Sequence, residues 1–298
     1  MSADQAVRFD AQRLRDWAFE PIRHRYTKRD TMLYALSLGA GCDPSDAQAL
    51  RFCYELDLQA LPTMAVVLAY PGFWAKDPAT GIDWVKLVHG EQHLMLHQNL
   101  PVEGEVLGHS RVTHVIDKGE GKGALMISER KLCDAQSGAL LATMTQTTFM
   151  RGDGGFQARG QHSDDAPAAR VAVPDRAPDL SHRLQTRPES ALLYRLMGDD
   201  NPLHADPAVA IAAGFKQPIL HGLASFGVAA RSLIASCADH DASRLVEIGL
   251  RFSSPVYPGE TLETAIWKLQ EPGELAFQTK VLERDRIVLS HGTARIRS

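Results

Sequence analysis

The sequence predicts an α+β protein in which one unit, a curved antiparallel sheet wrapped around a central helix, occurs twice in tandem. Three observations predict it. At 298 residues the chain is long for one compact domain. Matching landmarks recur in its two halves at a kept spacing. In the second half, one long apolar helix precedes four strand-like segments separated by turn signals.

The first half carries a helix-like segment at Tyr34 (YALSLG), a Pro-led apolar run from Leu61 (LPTMAVV) and a strand opening at Gly104-Glu105. The second half repeats the series with YRLMGD from Tyr194, QPILHGL from Gln217 and Gly259-Glu260. Pro62 and Gly104 lie 42 residues apart, and Pro218 and Gly259 lie 41 apart, which points to duplication. Between the halves, residues 151–180 are dominated by Gly, Pro, Asp and Ala without apolar period, and read as a linker. The expected domains are therefore 1–150 and 181–298.

Within the second half, Asp206-Pro207 reads as the N-cap and first residue of a short helix that Gly214 closes. From Gly222 to Ala238, Leu223, Phe226, Gly227, Ala230, Ile234 and Cys237 recur at helical spacing. The opposite face is scarcely polar, so this helix is expected to be buried. Strands are expected near 246–254, 260–269, 275–283 and 286–296, separated by Pro258-Gly259, Glu271-Pro272-Gly273 and Arg284-Asp285. One buried helix followed by a meander is the hot-dog arrangement. Two copies can pair side by side as a double hot-dog and cover each other's sheet edges.

Composition excludes several classes. Hydrophobic content of 44%, charged content of 23% and net charge of −4 are those of a soluble globular chain with no evident nucleic-acid partner. Cys42, Cys53, Cys133 and Cys237 form no CxxC pair, so neither a metal site nor a disulfide framework is expected. The opening MSADQAVRFDAQ lacks the apolar core of a leader, no run approaches a membrane span, and the final ARIRS is no peroxisomal address. Cytoplasm and no membrane partner are the expectations.

The chemistry concentrates in YRLMGDDNPLHADPAVAIAAGFKQPILHGL, residues 194–223. Asp199 and His204 flank an Asn-Pro turn, and Pro202 prevents a continuous helix between them, so both side chains can face one water. Asn201 braces that loop or bonds a ligand. Gly222 lacks a side chain at the start of the buried helix, where unpaired amides and the helix dipole favour a developing oxyanion. Water addition to, or elimination from, a thioester needs those parts. Taken singly, Asp199 could be a turn residue, His204 a packed side chain and His221-Gly222 merely a helix start.

The segment GDDNPLHADP…GF…PILHGL resembles the signature of the MaoC-like R-specific enoyl-CoA hydratases, the hydratase 2 family. YTKRDTMLYALSLGAG, LPTMAVV, HGEQHLMLHQNLP, DKGEGKG and RFSSPVYPGETLETAIWK are similar to the hydratase 2 region of peroxisomal multifunctional enzyme type 2, over nearly the whole chain. The resemblance implies a double hot-dog with the catalytic pair in the second repeat and a degenerate first repeat that shapes the acyl pocket. It assigns catalysis to Asp199 and His204 and thioester binding to Gly222. It places substrate contacts at His89, Gly90, Lys118, Asp200, Asn201, Pro202, Leu203 and Phe252.

It also implies reversible hydration of a (2E)-enoyl-CoA to a (3R)-3-hydroxyacyl-CoA with no cofactor, in a homodimer, on medium, long or bulky acyl groups. A hot-dog thioesterase and a non-catalytic acyl-CoA-binding protein are the rival readings. Lys118 could meet a CoA phosphate as a point charge or be a solvated turn lysine. His89-Gly90 could equally be a strand-entry turn, and Phe252 a core aromatic. Arg231 and Lys216 are further candidate phosphate partners. Ala229 and Ala230 stand where relatives often carry Ser, so a hydrogen bond to Asp199 must come from elsewhere.

Overall fold

The structure, a computed structural model, describes residues 7–297. Residues 1–6, part of the opening judged to lack a leader core, and the final Ser298 lie outside the described residues. The chain opens with the short helix α1 (Ala11–Arg15), capped by Asp10, then β1 (Ile22–Tyr26) and α2 (Lys28–Ser37). Asp30 in the first turn of α2 accepts the Thr27 N–H at 2.8 Å, closing the N-terminus of that helix. Four long strands follow: β2 (Leu87–Leu96), β3 (Gly104–Asp117), β4 (Ala124–Asp134) and β5 (Leu140–Met150).

The second half contains β6 (Leu180–Gln185), α3 (Ser190–Tyr194), α4 (Pro207–Ala212), α5 (Gly222–Cys237), β7 (Leu245–Phe252), β8 (Thr261–Lys268), β9 (Glu274–Val281) and β10 (Arg286–Ile296). The last four strands and α5 match the sequence expectations to within a few residues. Asp206 caps α4 through the Ala208 N–H at 2.8 Å, and Gly214 follows that helix at φ +88°.

Among the described residues the ten strands form one antiparallel sheet in the order β1-β3-β4-β5-β2-β7-β10-β9-β8-β6. Read inward from its free edge, each half has the same order: 1-3-4-5-2 on one side and 6-8-9-10-7 on the other. That repeated permutation is the duplication in physical form, a double hot-dog joined at β2 and β7. The seam pairs Glu91 with Arg251 and Met95 with Glu247, and charges stitch it along its length. Glu91 meets Arg251 at 2.8 Å and Arg170 at 3.2 Å, while His93 Nε2 lies 2.9 Å from Glu247.

The repeats differ where their central helices belong. In the second, sixteen-residue α5 packs against β6, β7, β8 and β10, with Phe226, Ala229, Ala230 and Leu233 fully buried. In the first, the Pro-led run forms only a short 3₁₀ turn at Pro62–Val66, which contacts α5, β2 and β5. The backbone turns out of helix at Ala69, φ +48°, and Pro71-Gly72, with Gly72 at φ +69°, rules out its resumption. The expected long helix is thus reduced, which leaves open space above the concave face of the first sheet. The landmark tyrosines of the two halves meet: the rings of Tyr34 on α2 and Tyr194 on α3 lie 5.9 Å apart, both buried.

Residues 151–179 are tied along the sheet. Asp164 accepts the Val115 N–H at 2.7 Å and pairs with Arg15 at 2.8 Å, and Trp267 Nε1 donates to the Arg176 carbonyl at 2.8 Å.

One glycine couples α2 to α5. A Cβ at Gly227 would fall 2.5 Å from Leu38 Cδ1 and 3.1 Å from the Tyr34 hydroxyl, and Leu38 is itself buried. Gly227→Val is expected to lower the free energy of unfolding by about 1–3 kcal/mol through overpacking. Urea denaturation reads this directly, and an unchanged midpoint would show that Leu38 yields without strain.

Candidate active site

Local sequence explains how the loop after α3 turns. Gly198, at φ +106°, ends a short turn and releases Asp199. Asn201 then caps the 3₁₀ turn Pro202–His204 by accepting the Leu203 N–H at 3.1 Å, with Pro202 at the position that needs no N–H. Asp199 and His204 thereby reach the same neighbourhood, and His221, at the N-cap of α5, completes it. Each of the three offers an atom within 4.8 Å of the other two. The Asp199 carboxylate also accepts the Asn201 N–H at 3.4 Å.

The hydrogen bonds fix the histidine tautomers. His204 Nδ1 lies 2.8 Å from the Ile219 carbonyl, which can only accept, so Nδ1 carries the proton and Nε2 keeps a lone pair. His221 Nε2 donates in the same way to the Asp199 carbonyl at 3.1 Å, leaving Nδ1 buried without a partner among the described residues. The two rings stack at 3.7 Å with 27° between their planes. Burial lowers the pKa of His204, opposed by its Ile219 bond and by the Asp199 charge. Burial, then the neighbouring His204, pushes His221 down to about 3. Both imidazoles are neutral near pH 7, and His204 Nε2 is available as a base. Asp, His and His could also hold a divalent cation, but stacked rings carry their in-plane lone pairs side by side rather than toward one point.

Two cavities meet here. One, of about 270 Å³, lies under the open face of the first sheet and is lined by Val66, Tyr70, Trp74, Met126 and Leu223, together with Asp199, Asp200 and Asn201. The other, of about 990 Å³, holds His204, Gly222, Phe252, Gly90 and Lys118. His89 lines both. Burial drives its imidazole down to about 4, and its Nε2 is buried without a partner. The β2 bulge between His89 and Glu91 turns this segment inward, and the His89 ring meets Phe252 edge-on at 4.7 Å.

At the start of α5, the first helical bonds run from Ala224 and Ser225 to the His221 carbonyl. Among the described residues, the Gly222 and Leu223 N–H groups have no backbone acceptor, as a helix N-terminus requires. A Cβ at Gly222 would come within 3.2 Å of the Phe252 ring, so the glycine also keeps the path narrow and passable.

The structure brings together Asp199, His204, Gly222, His89, Gly90, Asp200, Asn201, Phe252 and the exposed Lys118 along these two cavities. Pro202 and Leu203 line neither and instead shape the turn. Two expectations are corrected. Arg231 points into the interior and donates to the Leu38 carbonyl at 2.6 Å, because α5 presents that face to α2. Lys216 lies over the Tyr257 ring at 4.3 Å and lines neither cavity, although its neighbour Phe215 lines the larger one. Sequence reading missed His221 as a member of the cluster, since it looked like a helix start alone. It also passed over Arg151, which adds positive charge to the lining of the larger cavity, where Lys86 is paired with Asp83 at 2.7 Å.

Comparison with known proteins identifies the family. Residues 24–152 match the MFE-2 hydratase 2 N-terminal domain, and residues 170–291 match the MaoC like domain. The chain is 43% identical to 3-hydroxyacyl-thioester dehydratase Y of Mycobacterium tuberculosis, covering 92% of this chain and 93% of that protein. It is 39% identical to the probable enoyl-CoA hydratase 2 of Dictyostelium discoideum, over 96% of each. The crystal structure of a MaoC-like dehydratase from Phytophthora capsici superposes with a TM-score of 0.83 at 34% identity, covering 96% of this chain and 98% of that one. With both halves matched in order and full-length relatives well above 30% identity, the chain belongs to the MaoC-like, hydratase 2 family.

Proposed function

We propose that this protein hydrates (2E)-enoyl-CoA reversibly to (3R)-3-hydroxyacyl-CoA. The observation that carries the reading is the junction itself: an unprotonated His204 Nε2 and the Asp199 carboxylate beside the uncommitted Gly222 N–H, where two cavities meet. In this reading the larger cavity takes the CoA arm, with Lys118 and Arg151 at its rim, and the smaller takes the acyl group. Asp199 and His204 hold one water, whose oxygen adds to C3 while a proton is delivered to C2. The Gly222 N–H hydrogen-bonds the thioester oxygen as enolate character develops. No cofactor enters the reaction. Medium, long or bulky acyl groups, a homodimer and a cytoplasmic location complete the proposal.

The deciding assay follows loss of enoyl absorbance from trans-2-decenoyl-CoA and resolves the configuration of the product. Accumulation of (3R)-3-hydroxydecanoyl-CoA supports the reading. Release of free CoA thiol instead points to a thioesterase, and binding without turnover to an acyl-CoA carrier. Asp199→Asn and His204→Ala are each expected to lower kcat by ~100-fold or more, and a near-normal rate in either variant removes that residue from the chemistry. Lys118→Ala should raise KM several-fold with little change in kcat, and the difference should shrink in high salt. An equal KM at low salt would leave Lys118 a solvated turn residue.

Acid sensitivity follows from the buried imidazoles. His89 and His221 titrate near 4 and 3 in the fold, below the ordinary value of 6.5 that the unfolded chain restores. Below pH 6.5 the unfolded chain therefore binds protons that the fold refuses, and stability falls as the pH drops toward 4, by ~1.4 kcal/mol per unit for each such group. The acid limb of kcat/KM should likewise lie below pH 6.5, because the His204 value is lowered. Urea midpoints and initial rates measured from pH 8 to 5 check both. A rate that rises as His204 protonates would contradict its role as base.

A further inference from the structure

The smaller cavity is not the apolar slot that a plain hydrocarbon chain needs. Its floor is the concave face of the first sheet, where the second repeat packs apolar side chains against α5. Register places His89, Thr148 and Met126 in one row across that face, Gln92, Gln146 and Ser128 in the next, and Met144 and Arg130 in a third. Moving from the row that holds His89 at the junction to the row that holds Arg130 covers four strand residues, on the order of 13 Å along the sheet.

Arg130 has no counter-ion. Its neighbour Glu129 is engaged by Arg111 at 2.9 Å, and among the described residues no carboxylate lies within 4 Å of the Arg130 guanidinium. Asp199 and Asp200 line the same cavity without reaching it. One nitrogen donates to the Val66 carbonyl, the Nε is buried with no acceptor, and Tyr70 lies 5.5 Å from the guanidinium carbon. Burial with so little compensation lowers even this pKa, to about 10. Arg130 is half-buried, and a guanidinium so held, with one carbonyl and one ring for company, is incompletely satisfied; a carboxylate is the group that satisfies it best, through charge-assisted and bidentate bonds.

We propose that Arg130 receives an anionic end of the acyl group, so that the preferred substrates are enoyl-CoA half-esters of dicarboxylic acids rather than simple alkenoyl-CoAs. The proposal rests on the hydratase reading and names the substrate class of that same site. Arg130 is a specificity-determining residue, two rows from His89 in backbone register.

The test compares trans-2-decenoyl-CoA with the mono-CoA ester of trans-2-decenedioic acid, equal in length and differing only in the terminal carboxylate. The protein is expected to favour the carboxylate ester in kcat/KM by about tenfold or more, chiefly through KM. Arg130→Met, similar in length and uncharged, should reverse the order, losing on the carboxylate ester and gaining on the alkenoyl ester. Arg130→Lys should retain part of the preference, because the charge survives without the fork. Equal rates on both esters, or a wild-type preference for the alkenoyl ester, would overturn the proposal while leaving hydration intact. An Arg130→Met variant that melts earlier and slows equally on both esters would reduce Arg130 to a brace for Val66. If neither ester is hydrated, the hydratase reading fails, and calorimetric Kd values for the two esters still decide whether the cavity prefers the anion.

Discussion

The site depends on the ladder between β2 and β7. Strand edges left open pair with whatever edge they meet, and here the inner edge of each sheet finds its counterpart in the other half of the same chain. The ladder fixes more than the sheet. The bulged end of β2 carries His89 and Gly90, the end of β7 carries Phe252, and the pairing places the two rings in edge contact above Gly222. Shifting the seam by one residue would turn each of these side chains to the other face. The ion pairs of Glu91 with Arg251 and Arg170, and of His93 with Glu247, act at that point by making one register electrostatically preferable.

Positioning of the groups proposed to react is achieved largely with backbone carbonyls. Ile219 and Asp199 each orient one imidazole by accepting its N–H, so the tautomers follow from the course of the loops rather than from a dedicated carboxylate. Among the described residues, that leaves the Asp199 side chain committed only to a long bond from the Asn201 N–H. His204 and this lightly bonded carboxylate lie within 4.8 Å of each other, His204 on the larger cavity and Asp199 on the smaller. Burial lowers the pKa of both imidazoles, and His204 lowers that of His221 further, which keeps the pair in its basic form at neutral pH.

Much of the second repeat was legible in the sequence, for local reasons. Asp206-Pro207 and Gly214 bracket α4, and Pro258-Gly259 and Arg284-Asp285 separate strands whose composition leaves little alternative. Asp199, His204 and Gly222 stood out because their chemistry is compressed into one segment. What could not be read depended on the partner half. LPTMAVV has the composition of a buried helix, yet it forms one short turn, since α5 and β2 occupy its flanks and Pro71-Gly72 follows. Arg231 looked free because its acceptor, the Leu38 carbonyl, is far away in sequence. The polar row behind Arg130 is visible only once register is known, because its members come from three strands.

Duplication within one chain has a further consequence. The two walls of the proposed reactive junction come from different repeats, His89 and Gly90 from the first and His204, Gly222 and Phe252 from the second. In an arrangement of separate single-repeat chains, such a junction would come apart on dilution by mass action. Here residues 151–179 tether the halves and are themselves pinned to the sheet, so the effective concentration of one wall at the other is set by geometry. The junction is thus independent of how much protein is present. The first repeat, freed from assembling a site of its own, can have its helix space remodelled without disturbing the reacting groups.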